Sequence, residues 1–525
     1  MKSLFRENEL IMLNQFFLFN IDISRFLIAS LVAVLLVGGI GWFWPPFLWL
    51  FVLVGPVVLI GVIDLAFSKN TIIRNFPFLG HFRYILLNIS PEIRQYFVES
   101  NTDGKPFSKN QRDFVNKRSE KEFETHPFGT ELDVYEEQYE WAPHSIYPKK
   151  IPEEQPRISI GGADCSQPYR ASLFNISAMS YGSLSKPAIR ALNKGASMGG
   201  FYHNTGEGGL APYHLEFGAD VVWEIGSAYF GCRTDDGDFD PHEFEQKATD
   251  ERIKMIEIKL SQGAKPGHGG VLPAIKNTKE IAEIRGVEPQ IKVVSPAFHT
   301  AFSDAEGLLN FVQQLRELSG GKPCGFKLCI GRKEEFVEIC KAIIETGIKP
   351  DFITIDGSEG GTGAAPIEFS DSIGMPLEEA MVFVTDTLNG FDLKKDIRII
   401  AAGKVITAFD VIRVIALGTD ICNSARGMMF ALGCIQALKC DTNNCPTGIT
   451  THDPNLTRGL VVDDKAQRVA NFQSETIDAA MELLAGMGLS HFTELKRAHI
   501  HKRVEAETIR TFEDIYPSVE PGAYL

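Results

Sequence analysis

Positive charge is in short supply in this chain. Its 52 Lys and Arg face 67 Asp and Glu, giving a net charge of −15 over 525 residues. A nucleic-acid partner needs a basic face, so no nucleic acid is expected. Cysteine is sparse too. Nine cysteines in this length, without dense spacing, exclude a disulfide scaffold and read mostly as buried thiols of a reducing compartment. There is no internal repeat and no low-complexity tract. No apolar strand leads into a G-x-G-x-x-G turn, which tells against an open dinucleotide-binding sheet. What remains is ample for a large core, with 44% hydrophobic residues.

The longest absence is of charge near the N-terminus. From Phe26 to Ala66 the chain is apolar, with no charged residue before Asp64. One bilayer crossing takes roughly 20 residues, so the run is long enough for two. Trp42-Phe43-Trp44-Pro45-Pro46 stands in its middle. Prolines break helices and tryptophans favour the membrane interface. The pattern predicts an N-terminal segment, 1–66, with a transmembrane hairpin of helices near 26–43 and 47–66. A helical hairpin buried in a soluble fold is the alternative. A cleaved signal is expected to be shorter and to start earlier. Lys2, Arg6 and Arg25 precede the run and Lys69, Arg74 and Arg83 follow it. That predicts cytoplasmic ends, hence a multi-pass protein of the cell inner membrane with its catalytic part in the cytoplasm. Residues 67–155 are mixed and polar, punctuated by Pro143, Pro148, Pro152 and Pro156. They read as a connecting segment that packs on the main domain and carries no chemistry.

From 156 to 525 short apolar runs alternate with amphipathic stretches. The runs are 174–179, 221–225, 256–260, 291–294, 325–329, 352–355 and 397–402. Helical stretches include 308–318, 334–344 and 408–417. Such alternation implies a parallel sheet, and its number of repeats predicts an α/β fold closed as a (β/α)8 TIM barrel. The runs end in small or polar residues, as in Ser177-Ala178-Met179-Ser180, Ile355-Asp356-Gly357-Ser358 and Ala401-Ala402-Gly403-Lys404. Barrel enzymes build their sites at those ends.

Four local signals carry chemistry. Cys434-x5-Cys440-x4-Cys445-Pro446 can hold a metal centre. Zinc would need a fourth ligand, with His452 nearest, whereas an iron–sulfur cluster would use the thiolates alone. Asn204-Thr205-Gly206-Glu207-Gly208-Gly209 and Gly357-Ser358-Glu359-Gly360-Gly361-Thr362-Gly363 are glycine-rich, and the second can present backbone N–H groups to an anion or a ring. Gly403-Lys404 and Ser424-Ala425-Arg426-Gly427 fall where strands 7 and 8 should end, the customary phosphate site of this fold. In Gln262-Gly263-Ala264-Lys265-Pro266-Gly267-His268-Gly269-Gly270, Lys265 could bind a carboxylate or donate a proton. Lys327, after its strand, could face a cofactor.

Taken in order, these motifs resemble the FMN-binding synthase domain of glutamate synthases. The resemblance runs from about Ser177 to Gly488 through Ala178-Met179-Ser180-Tyr181-Gly182-Ser183, Asn-Thr-Gly-Glu-Gly-Gly, Gln-Gly-Ala-Lys-Pro-Gly, Gly-Gly-Thr-Gly-Ala, Ala431-Leu432-Gly433-Cys434 and Asn444-Cys445-Pro446-Thr447-Gly448. It implies FMN at the barrel mouth and a [3Fe–4S] cluster on Cys434, Cys440 and Cys445. It implies that Met179, Ser180, Lys327, Gly361, Thr362, Gly403, Arg426 and Gly427 bind the flavin, and that Glu207, Lys265 and Arg285 face the substrate. The implied reaction condenses ammonia with 2-oxoglutarate and reduces the resulting 2-iminoglutarate to glutamate.

The chain also departs from the family. Val271 stands where a glutamine usually helps hold the keto acid, and His268 where a glutamate is usual. The glutaminase domain is expected to be absent, so ammonia would come from elsewhere. Electrons would come from a partner such as ferredoxin or a reductase subunit. The paired N-terminal helices resemble those of small membrane-associated members. Two other readings stand beside glutamate synthesis. One is a membrane flavin dehydrogenase acting on another amino or keto acid or an N-substituted glutamate. The other is a non-enzymatic membrane scaffold or redox sensor.

Overall fold

The computed structural model describes residues 23–122, 125 and 127–525. Lys2 and Arg6 lie outside the described residues. The contacts divide the chain into two compact units, residues 1–99 and 100–525.

The first unit opens with α1 (Ile23–Phe43), a 3₁₀ turn (Pro45–Leu50) and α2 (Phe51–Phe67). The stretches Arg25–Phe43 and Pro45–Phe67 have mean hydropathies of 2.4 and 2.6 and are long and apolar enough to cross a membrane. Within their apolar 18-residue windows only 17% and 11% is buried by the protein. The chain breaks at Trp44, not at the two prolines. Pro45 starts the next helical segment, where its missing N–H costs nothing. Two short elements follow. α3 (Thr71–Asn75) is capped by the Asn70 side chain, and α4 (Leu79–Ile93) packs on α3.

The second unit is a closed barrel of eight parallel strands: β1 (Phe174–Ile176), β2 (His203–Asn204), β3 (Val221–Ile225), β4 (Ile253–Lys259), β5 (Cys324–Leu328), β6 (Phe352–Asp356), β7 (Arg398–Ala402) and β8 (Ile421–Ser424). β8 pairs with β1 to close it. The outer layer includes α6 (Lys186–Gly199), α7 (Pro241–Ala248), α9 (Ala305–Leu318), α10 (Lys333–Thr346), α11 (Leu377–Gly390), α12 (Ala408–Ala416) and α14 (Val462–Gly486). Between β2 and β3 a single 3₁₀ turn, Pro212–His214, stands in place of a helix. Before the barrel, α5 (Lys109–Glu120) packs along α14, where Arg118 donates to Thr476 Oγ1 at 3.1 Å.

Side chains alternate along a strand, and the barrel uses this to stratify its interior. Tyr202, Val222, Met255, Phe352, Ile400 and Ile421 form an apolar floor with Ile160, Tyr169 and Ala171 of an N-terminal hairpin. Two residues further along the strands the interior turns polar, at Asn204, Glu224, Glu257, Thr354 and Asn423, all buried. A polar row at this height cannot rest against hydrocarbon without partners, and it finds them in itself and in the cavity above.

The run at 291–294 is not a barrel strand. Only Val293–Val294 is extended, pairing antiparallel with Val271–Leu272 in a ribbon within the excursion after β4. The barrel position is filled instead by His203–Asn204, too short to show as an apolar run.

Candidate active site

All fourteen candidate residues line one cavity of about 310 Å³ at the C-terminal ends of the strands. These are Met179, Ser180, Glu207, Lys265, Arg285, Lys327, Gly361, Thr362, Gly403, Arg426, Gly427, Cys434, Cys440 and Cys445. That volume lies at the lower end of the range for small-molecule sites.

Glu224 and Asn423 of the polar row line the cavity together with Lys327. Lys327 on β5 is ion-paired with Glu224 on β3 and stands 3.9 Å from Glu257 Oε1 on β4. Glu257 accepts from Asn204 Nδ2 at 2.8 Å and from Thr354 Oγ1 at 2.6 Å. Burial and the neighbouring Glu224 push the Glu257 carboxyl up, against the pull of Lys327. Burial alone would depress the Lys327 ammonium, but Glu224, Glu257 and Asp356 outweigh it and hold the lysine charged.

Above this floor lies a cationic group. Glu207 follows β2 and pairs with Lys259 of β4 at 2.7 Å. Burial raises its carboxyl, but Lys259, Lys265 and Arg285 together hold it at about 2. Burial lowers Lys265 to about 8 and Arg285 to about 10, each opposed by Glu207. Arg285 is the last residue of α8 (Lys279–Arg285). It donates to the Tyr181 carbonyl at 3.1 Å, lies 5.0 Å from the Phe230 ring centroid, and leaves its buried Nε without a partner. A Cβ at Gly270 would stand 2.5 Å from Glu207 Oε1, and one at Gly206 2.7 Å from the Ser180 nitrogen. These two close approaches explain glycine there. Three cations around one carboxylate, with an unsatisfied guanidinium nitrogen, suit a ligand bearing carboxylates.

At the far end Lys404 and Arg426 bracket Phe107, with Arg426 at 4.7 Å and Lys404 at 5.8 Å from the ring centroid. Burial lowers Arg426 to about 10, and burial and Arg426 lower Lys404. Two cations depressed in this way favour an anion such as a phosphate. Phe107 and Pro106 also line the cavity, although their segment was expected to carry no chemistry. The Gln436 side chain binds Phe107 at both its backbone nitrogen and oxygen, at 3.2 Å each. A side chain from residue 436 clamping residue 107 leaves no trace in local sequence pattern.

The cysteines occupy a loop bent by left-handed Gln436, Leu438 and Asn443. Cys434 Sγ accepts from the Gln436 nitrogen at 3.4 Å, and Cys445 Sγ lies 3.3 Å from Thr447 Oγ1. Lys276 ties this loop to the 180s, donating to the carbonyls of Cys440 and Ser183 at 2.8 and 3.0 Å. Among the described residues no three His, Cys, Asp or Glu side chains are gathered as ligands of one ion. A single zinc would draw its thiolates to within about twice the 2.3 Å Zn–S bond. His452, the candidate fourth zinc ligand, instead meets the Gly182 carbonyl at 2.8 Å. All three cysteines line the cavity, with a backbone amide beside the Cys434 sulfur and a hydroxyl beside the Cys445 sulfur.

Val271 and Leu272 add apolar surface to the cavity that Glu207 and Lys265 also line. His268 is turned aside, with Nδ1 2.8 Å from the Gly269 carbonyl oxygen and its ring against Phe369.

Residues 127–490 match the family model described as the conserved region in glutamate synthase. The glutamate synthase large subunit-like protein YerD of Bacillus subtilis is 36% identical over 504 residues, 88% of this chain and 95% of that protein. The archaeal-type glutamate synthase (NADPH) of Thermotoga neapolitana is 34% identical over 320 residues, 61% of this chain and 60% of the relative. The glutamate synthase (NADPH) large chain of Bacillus subtilis is 30% identical over 328 residues, 61% of this chain and 20% of that protein.

Proposed function

The chain belongs to the glutamate synthase family, and on that premise we propose that it is an oxidoreductase using FMN and a [3Fe–4S] cluster to convert 2-oxoglutarate and ammonia to glutamate. The observation that carries the reading is the convergence on one cavity of a carboxylate-binding cation group, a phosphate-binding cation pair and three thiols. FMN would lie against the backbone at Met179, Ser180, Gly361 and Thr362, with Gly403, Arg426 and Gly427 at its phosphate and Lys327 at the ring. When bound, it would supply the hydride that reduces the imine carbon. Cys434, Cys440 and Cys445 would hold the cluster through which electrons arrive from a ferredoxin or a reductase subunit.

The protein's own residues supply binding and proton handling. Arg285 and Lys265 neutralise the substrate carboxylates. Lys265, near 8, can give a proton to the oxygen that leaves as water when ammonia condenses. Glu207 keeps Lys259, Lys265 and Arg285 together in the absence of substrate. The walls exclude water from an imine that would otherwise hydrolyse. Helices α1 and α2 would cross a membrane, supported by their hydropathy and by the little of them that the protein itself buries.

Detergent-extracted protein should show a flavin spectrum with a broad iron–sulfur shoulder. With reduced ferredoxin or a dye, ammonia and 2-oxoglutarate it should form glutamate. No product, with the flavin remaining reduced, would overturn the reading. The apolar surface at Val271 favours a second reading, in which another amino or keto acid is the substrate. Flavin reoxidation by a panel of keto acids would then single out one more apolar than 2-oxoglutarate.

A further inference from the structure

Helix α4 is amphipathic in an unusual place. Leu79, Phe82, Leu86, Ile89 and Ile93 recur at alternating steps of three and four, and Ile85 lies beside them; all six are exposed. This spacing lays an apolar stripe of more than 100° along one side of a helix. The opposite side is in use. Gly80 packs against Ile73 of α3, and Tyr84 exchanges hydrogen bonds with Asn70 at 2.7 and 2.9 Å. So α4 is held by its polar side, while its apolar side faces away from the rest of its unit.

The depth of α4 is fixed from within the same unit. Asp64 lies in the last turn of α2 and is buried. Its carboxylate accepts from the Phe78 nitrogen at 2.9 Å and pairs with His81 Nε2 at 2.9 Å. The start of α4 is therefore pinned within one helical turn, about 5 Å, of the end of the apolar helix. If α2 crosses a bilayer, that is the level of the headgroups. From there α4 runs for about 22 Å and ends in a turn that exposes Tyr96 and Phe97, a tyrosine of the kind that anchors at interfaces beside an apolar ring that suits the acyl boundary. Trp42, Trp44 and Trp49 are exposed at the opposite end of the helix pair.

We infer that α4 lies in the plane of the membrane on the side where α2 ends, its Leu79–Ile93 stripe sunk into the boundary between headgroups and acyl chains. The occupant of the stripe is lipid. The inference rests on the membrane reading above and extends it from a two-helix anchor to an anchor with an interfacial shelf. Arg83 flanks the stripe, placed to meet anionic headgroups, while Arg94 just past its end pairs with Glu99 at 2.9 Å.

The test uses the full-length protein in nanodiscs of phosphatidylethanolamine and phosphatidylglycerol. The photoreactive residue p-benzoylphenylalanine replaces Leu86 on the stripe, Asn88 on the opposite side, or Leu35 inside α1. After irradiation, intact mass is read. A gain of one phospholipid at positions 86 and 35 but not 88 is the expected result. A lipid adduct at 35 with protein cross-links at 86 would overturn the shelf and leave the two-helix anchor standing. Absence of lipid at all three positions would overturn the membrane reading and the shelf with it. Equal lipid labelling at 86 and 88 would show α4 without a preferred face and would also refute the inference.

Discussion

Glu207→Gln keeps the shape of the side chain and removes its charge, which makes it the sharpest probe of the substrate end. The structure sets the size of the effect. Depression of the carboxyl from 4.5 to about 2 corresponds to about 3 kcal/mol of net interaction. The side chain is 18% exposed, so solvent screening takes little of this. Three cations share the interaction, so each pair contributes about 1 kcal/mol or more. The same energy acts on the partner, because pair coupling is reciprocal. Lys265, held at about 8 with Glu207 supporting its charge, should therefore titrate about one pH unit lower in the variant. On the proposal that a charged Lys265 meets the substrate carboxylate, kcat/KM for 2-oxoglutarate should fall above about 8 in the parent and above about 7 in the variant. The assay is kcat/KM against pH with a dye as electron donor. A variant that is slower but keeps its alkaline midpoint would refute the coupling. Stability carries a second signature. The folded-state value of Glu207 lies below its unfolded value, so its contribution is present above 4.5 and is lost as pH falls towards 2. Glu207→Gln should lose that acid limb in thermal melts.

The other expectations concern cofactors and the barrel floor. Cys440→Ser should release iron and the broad visible absorbance while the flavin stays bound; iron retained at full stoichiometry would argue against a thiolate cluster. Arg426→Ala should weaken FMN binding to the apoprotein by roughly tenfold or more, as befits a charge-assisted hydrogen bond. Riboflavin affinity, read by fluorescence quenching, should hardly change; equal losses for both would remove Arg426 from the phosphate end. Glu257→Gln keeps both side-chain partners, since an amide can accept from Asn204 and donate to Thr354. The Glu257 carboxyl is raised by burial and Glu224, so the folded state holds its proton longer than the unfolded state and stability declines as pH rises above the usual glutamate range. The variant should flatten that decline in melts between pH 5 and 8; an unchanged slope would show that the carboxyl is not proton-bearing there.

Much of this was legible in sequence because the signals are local. The run at 221–225 is observed as Val221–Ile225, and the stretch at 408–417 as Ala408–Ala416. Both obey a clean period or a clean burial pattern. The run at 291–294 misled because apolar character alone does not distinguish a barrel strand from a two-residue ribbon in an excursion. His203–Asn204 was missed for the opposite reason, being a barrel strand whose two residues are polar. The clamp of Gln436 on Phe107 spans 329 positions, and no local period can encode it. The same holds for the cation group, whose members come from the loop after β2, from β4 and the loop after it, and from α8.

The buried charges at the floor show how the fold and the proposed chemistry constrain each other. Glu224, Glu257 and Asp356 all act on the one ammonium of Lys327, so a fully ionised floor would carry excess negative charge, which burial disfavours strongly. Raising Glu257, and by burial Asp356 as well, reduces this, because each protonated carboxyl removes one anion from around Lys327. Lys327 can then remain charged at the cavity floor without an unpaired partner beneath it. A hydrophobic residue at 257 would bury more cheaply, but it would leave Asn204 and Thr354 without their acceptor and alter the field that Lys327 presents upward. Glu224 alone would still hold the ammonium, but as a tight isolated pair whose field is largely cancelled at the cavity. The second, protonatable carboxyl lets the charge of the floor follow events above it. Were an anion to bind against Lys327, the floor could adjust by one proton at Glu257 without exposing its buried side chains to water.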